Sequence, residues 1–276
     1  MSTAAHPRTR VDEIAAGIYR LNTPVEIGGP VGHFNFNQYL VADDAPLLFH
    51  TGPRRLFPSV REALARVIPV ERLRYVAFSH TEADECGALN DWLAAAPRAE
   101  PVCGQVAAIV SIGDLADRPP RPLADGESLT LGTRSVRWYD TPHVPHGWDA
   151  GLMLETTTAT LLCGDLFTQG GKGDVPLTQG DILGPSEAFR APLDYFAHAP
   201  HTAQVLERLA QARPATLACM HGSAWQGDGA ALLRALALRL AATAPEAHHA
   251  PQPKAGTSGT AAPAPVAGAL TGAAAA

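Results

Sequence analysis

The sequence predicts an α+β protein built as a four-layer αββα sandwich, on three observations. Short strand-like runs come first in each half and helix-like runs follow them, a grammar that packs two sheets together with helices outside. Apolar residues fill 46% of the 276 positions and charged residues 17%, enough for a sizeable core. No linker of low-complexity composition interrupts residues 1–243, which favours one domain over that span.

In the first half, residues 13–21 and 37–41 have strand character, and 46–50 pairs with them across an Asp-Asp turn. Residues 58–67 read as a helix with Ser59 as its cap. Residues 73–78 form a buried-strand pattern that ends at Ser79-His80, and 86–95 reads as the next helix. In the second half, 128–131 and 135–139 are strands, the latter running into Asp140-Thr141-Pro142. Residues 151–155 and 160–163 make a hairpin over a threonine-rich turn. After a glycine-rich stretch, 201–212 and 229–243 have the amphipathic period of helices and flank a strand at 216–219. Residues 244–276 are dominated by Ala, Pro, Gly and Thr and bury too little apolar surface to offset ordering entropy, so a disordered tail is expected there.

The net charge of -6 offers no basic footprint, which argues against nucleic acid as a partner. Residues 1–10 contain no apolar run to serve as a signal-peptide core. Nor does any stretch approach the roughly 18 apolar residues of a membrane span, so the chain reads as cytoplasmic with no membrane partner. Cys86, Cys103, Cys163 and Cys219 lack CxxC spacing in a chain too long to need disulfide staples, and read as small buried hydrophobes.

The chemistry lies where strands end. His80, Glu82 and Asp84 share one tight loop, and alternate spacing in extended chain points all three to one side. Carboxylates so close repel unless a cation lies between them. Taken alone, the loop also reads as a solvated acidic turn before a helix N-terminus. His146, bracketed by Pro145 and Gly147, follows the next strand end. Asp165 sits between Leu161-Leu162-Cys163-Gly164 and Leu166-Phe167, a context too apolar for an unpartnered charge. His221 follows Leu217-Ala218-Cys219-Met220 and precedes Gly222. Together the six residues predict a two-metal site in loops at the edge of the sandwich.

The order His80-x-Glu82-x-Asp84, His146, Asp165, His221-Gly222 resembles the metallo-β-lactamase superfamily, and specifically its flavodiiron branch. That branch carries HxExD where zinc hydrolases carry HxHxDH. The resemblance covers roughly residues 11–240 and includes Asn37-Gln-Tyr-Leu-Val41, His146-Gly-Trp-Asp149 and Gly164-Asp165-Leu-Phe167. It implies the metallo-β-lactamase fold, one metal on His80, Glu82 and His146, a second on Asp84 and His221, and Asp165 bridging them. Three imidazoles and three carboxylates can hold two divalent ions with positions left open. Glu82 in place of a histidine hardens the site and shifts preference from zinc toward iron or manganese.

Three features depart from the family. Glu85 stands where a histidine is usual, as a further ligand or a proton shuttle. Phe49-His50-Thr51-Gly52 replaces a segment with an aspartate, leaving His50 to support a ligand through hydrogen bonds or to approach the metals. No flavodoxin-like domain follows in the sequence, so turnover is expected to need an external reductase.

The leading expectation is a diiron protein that binds or reduces O2 or NO, with head-to-tail pairing of two chains implied by the resemblance. The alternative is a metal-dependent hydrolase of an ester, lactone or phosphodiester acting through a metal-bridging hydroxide. Asp84 or Glu85 would then be catalytic, orienting the nucleophile, and the glycine-rich segment 168–184 would close over a small-molecule substrate. A fold-only relative using metals for structure is the third expectation. Trp148 and Trp225 either wall the site or belong to the core.

Overall fold

Alternation along short strands decides the layers of this molecule. The computed structural model describes residues 8–29 and 32–243, and the tail expected at 244–276 lies outside them. One sheet runs, in chain order, through β1 (Arg10–Ala15), β2 (Ile18–Gly28), β3 (Gly32–Val41), β4 (Leu47–Phe49), β5 (Tyr75–Ala77), β6 (Glu100–Gly104) and β7 (Arg121–Leu123). The other is ordered β12 (Leu177–Thr178), β14 (Ala224–Gln226), β13 (Thr216–Ala218), β11 (Thr160–Leu162), β10 (Gly151–Glu155), β9 (Ser135–Asp140) and β8 (Ser128–Thr130).

Successive side chains on a strand point to opposite faces. Leu47 and Phe49 therefore enter the core between the sheets, with Ala77, Val102, Trp138, Met153, Leu162 and Ala218. Leu48, Val76 and Cys103 face outward, where α1 (Phe57–Leu64) and α3 (Leu89–Ala95) cover them with Val60, Leu64, Trp92 and Leu93. On the far side, Leu152, Leu161 and Leu217 meet Leu206 and Leu209 of α7 (Thr202–Gln211) and Leu233 and Leu236 of α8 (Gly229–Thr243). The four layers are helix, sheet, sheet, helix. The central strands β4, β5, β10, β11 and β13 each contribute to two cores at once, so none of them tolerates a one-residue slip.

Local details differ from what the sequence pattern suggests. Ser59 caps nothing: α1 starts at Phe57, Leu56 is its N-cap residue, and Ser59 is buried inside the first turn. Pro58 occupies that turn, where it needs no hydrogen-bond partner for a missing N–H. The helix expected at 86–95 is two pieces, α2 (Ala83–Cys86) and α3, with Gly87 and Ala88 between them. β6 and β7 leave no clear strand signal because each carries a proline, Pro101 and Pro122, which mutes the pattern. Between them a helical run joins α4 (Gln105–Ala107), a π turn at Ala108–Ile112 and α5 (Gly113–Leu115).

The segment 168–184 is no free lid. Gly171 donates to His33 O, its own carbonyl accepts from Asn35, and Gly173 O accepts from Arg20 and Arg10. Its end enters α6 (Leu183–Leu193), a helix hidden in the sequence by flanking glycines and an internal Pro192. Among the described residues no helix is long and apolar enough to cross a membrane.

The two sheets are sewn together where strands end. Asn37 N donates to Met220 O at 2.9 Å, Gly151 N to Ser79 O at 2.8 Å, and Tyr39 Oη to Cys219 O at 2.7 Å. With Met220 N donating to Gly164 O at 2.9 Å, these bonds bring the exits of β5, β11 and β13 to one rim.

Candidate metal centre

The rim gathers all six donors expected from the sequence, in two groups. His80 Nε2 and His146 Nε2 face each other at 2.9 Å. Glu82 brings Oε1 to 3.2 Å from His146 Nε2 and Oε2 to 3.7 Å from His80 Nε2. Asp165 Oδ2 lies 3.4 and 3.6 Å from the same two nitrogens. In the second group His221 Nε2 lies 3.4 Å from Asp84 Oδ2, with Glu85 alongside. Asp165 Oδ1, the other oxygen of the same carboxylate, is 3.3 Å from His221 Nε2. One carboxylate thus turns an oxygen to each group.

Asp84 does not share a side with His80 and Glu82 as extended spacing suggested. Glu82 is extended, but the helix begins at Ala83, so Asp84 and Glu85 turn away at helical pitch toward His221. Trp148 is 59% exposed, so it belongs to no core, while half-buried Trp225 donates to Gly180 O.

Several supporting residues carry no metal-binding signal of their own. Ser79 Oγ bonds His80 Nδ1 at 2.9 Å and His50 Nε2 at 3.0 Å, so His50 supports His80 through Ser79 rather than joining the donors. His221 Nδ1 donates to Asn35 O at 2.7 Å, which leaves its Nε2 lone pair for the rim. Phe34 stacks on His221 at 4.3 Å, and Phe189 of α6 stacks on Phe34 at 5.4 Å. Tyr195 meets His146 edge-on, and its hydroxyl donates to Asp165 O. A repeated polar-aromatic alternation in His33-Phe34-Asn35-Phe36-Asn37 is the only hint of this wall in the sequence.

The electrostatics are those of an anionic pocket. Hydrogen bonds from His146 and His80 hold the Glu82 carboxyl at about 2. Burial opposes ionisation of Asp84 and Asp165, but the His221 hydrogen bond and charge pull both below the ordinary carboxylate range. Burial likewise opposes charge on His221, yet Asp165 and Asp84 raise it to about 10. Burial, then the charges of Asp165 and Asp84, push the Glu85 carboxyl well up. Burial lowers His50 to about 3 and keeps that ring neutral.

The donor chemistry fits cations. Both Glu85 oxygens are buried without a hydrogen-bond partner, and buried Asp165 Oδ1 has only His221 beside it, an arrangement that is costly unless a proton or a cation joins it. Imidazole and carboxylate donors in two clusters joined by one carboxylate suit a pair of divalent first-row ions.

Comparison with known proteins places the chain in a family and a fold. Residues 34–222 match the model described as ODP family beta lactamase. The chain is 26% identical over 201 residues to the rubredoxin-oxygen oxidoreductase of Megalodesulfovibrio gigas, covering 70% of this chain and 49% of that protein. It is 25% identical over 210 residues to the anaerobic nitric oxide reductase flavorubredoxin of Pectobacterium atrosepticum, covering 72% and 40%. A solved variant of the flavo di-iron protein from Thermotoga maritima superposes with a TM-score of 0.75 at 17% identity, over 85% of this chain and 62% of that one, and shares the fold. The chain spans about half the length, or less, of these curated relatives.

Proposed function

The chain belongs to the ODP family beta lactamases, and within that family we propose a specific role for it. It is a dinuclear iron protein that binds or reduces O2 or NO, with electrons from an external donor. His80, Glu82 and His146 would hold one ion, Asp84 and His221 the other, and Asp165 would bridge them. The observation that carries this reading is the division of the Asp165 oxygens, Oδ2 toward His80 and His146 and Oδ1 toward His221.

When bound, two ferrous ions would supply open coordination positions and reducing electrons for a small diatomic ligand. The chain's own residues prepare the place for them. The Asn35 carbonyl fixes the tautomer of His221, which then presents an Nε2 lone pair, and Ser79 Oγ holds the His80 ring through Nδ1 with Nε2 toward the rim. Phe34, Phe36 and Tyr195 exclude water from the inner side, while half-exposed Glu82 leaves an approach from solvent. Carboxylate-rich donors favour iron or manganese over zinc. Two relatives are named for reactions with oxygen and nitric oxide, which supports the choice of ligand. Pairing of two chains belongs to the same proposal and is measured by sedimentation.

Protein purified without added metal is expected to hold about two irons per chain, as two donor groups sharing one bridge imply. Its ferrous form is expected to change absorbance on exposure to O2 or NO. Two zincs per chain, with ester or phosphodiester cleavage and no optical response, would replace this reading by the hydrolase.

Metal loading is also expected to release protons. With no metal bound, a His221 pKa of about 10, above its ordinary value of 6.5, stabilises the fold fully below 6.5, and that contribution is lost as pH rises through 10. A metal needs the neutral ring, so filling the second site at pH 7 should release about one proton from His221. Apparent affinity there should rise about tenfold per pH unit from 7 to 9. Titration of chelated protein with metal in weakly buffered dye solution reads both. Uptake with no proton release would show that the metal-free His221 ring is already neutral at pH 7.

A further inference from the structure

Glu85 is left over from the six-donor set, yet it is among the most deeply buried charged residues in the molecule. Its side chain is 0% exposed, and neither carboxylate oxygen has a hydrogen-bond partner. No Lys, Arg or His ion pair reaches it among the described residues. One of its oxygens lies with Asp84 and His221 in a cluster whose donor atoms all fall within 4.8 Å of one another. Its position is not slack: Thr51 N donates to Glu85 O at 2.7 Å, pinning α2 to the loop after β4. A bare buried carboxylate is strongly disfavoured, so a residue held this way keeps its proton unless a cation joins it, and Asp84 and His221 put a cation position within its reach.

The donor count points to the same place. The first group has four donors, His80, Glu82, His146 and Asp165, whereas Asp84, His221 and Asp165 give the second only three. With Glu85 both have four. Glu82, Asp84, Glu85 and Asp165 then carry four negative charges against two divalent cations, so the filled site is neutral. We propose that Glu85 is a direct ligand of the second ion, completing its donor set as an anionic oxygen; this rests on the dinuclear reading above.

The test loads the full chain with two equivalents of Fe2+ without O2, titrates it with a chelator, and counts iron per chain. The unsubstituted protein should keep two irons. Glu85→Gln should keep the first and hold the second more weakly by more than the about 10–100-fold of a residue that only supports a ligand. Melting supplies a second readout. With iron chelated, Glu85→Gln should melt no lower than the parent, because the uncharged amide fills the same buried space; with iron loaded, the parent should melt higher. A structural or proton-carrying role gives no such dependence on iron. Should Glu85→Gln fail to fold, Glu85→Asp keeps the charge but shortens the reach, and its second iron should likewise be weakened. Two irons held at parental affinity in the folded variant would overturn the inference. A parent chain that itself binds fewer than two ions would instead sink the dinuclear reading.

Discussion

Asp165→Ala is expected to release both metal ions together. Asp165 is the one residue whose oxygens reach both donor groups, Oδ2 within 3.6 Å of His80 and His146 and Oδ1 within 3.3 Å of His221. Removing it takes a donor from each ion and leaves the three histidines without their shared anion. The loss at each position should exceed the about 10–100-fold typical of a residue that only supports a ligand. Glu82→Ala is the contrast. Both Glu82 oxygens lie against His80 and His146, and the side chain is half exposed, so its loss should weaken mainly the first ion. Elemental analysis of the two variants after equal exposure to chelator separates them. Full metal content in Asp165→Ala protein would remove the bridge from the proposal.

Trp138→Ala is expected to cost the fold about 3–5 kcal/mol, the range for deleting a large buried ring. Trp138 is fully buried between the sheets, and its indole N–H donates to Asp140 Oδ1 at 2.6 Å. The ring occupies space that only glycines leave free: a Cβ on Gly151 would lie 2.0 Å from it, and one on Gly104 3.0 Å. For a domain this size the melting temperature should fall by about 6–20 °C, taking roughly 2–4 °C per kcal/mol. The measurement belongs in chelator, so that metal binding does not mask the change. A shift below about 2 °C would show that the sheets do not depend on this contact. Gly151→Ala should also destabilise, by about 1–3 kcal/mol through overpacking. Because Gly151 N donates to Ser79 O, it should loosen the first metal as well.

Much of the site was legible because His80, Asp165 and His221 each follow a short apolar run with strand character and His146 follows a fourth strand. His80, His146, Asp165 and His221 all lie just past β5, β9, β11 and β13. The wall was not legible. Phe34, Phe189 and Tyr195 are aromatic residues like those of any core, and nothing local distinguishes a ring that stacks on a ligand from one that packs on a leucine. α6 was hidden for a related reason, since its packing comes from distant partners rather than from its own periodicity.

Residue type and short-range period carry the identity and order of the donors and the two-layered strand pattern, and both can be read along the chain. They also mark a candidate metal site, because carboxylates gathered at strand ends repel unless cations lie among them and three histidines add further donors. Which donors meet is set by the folded molecule alone. A helix that starts at Ala83 turns Asp84 and Glu85 toward His221, and inter-sheet hydrogen bonds from Asn37, Tyr39 and Gly151 set the exits of β5 and β13 on one rim. Those contacts join residues far apart in the chain, so no local signal records them. Direction along a strand is a local property, whereas coordination depends on where several strands end together.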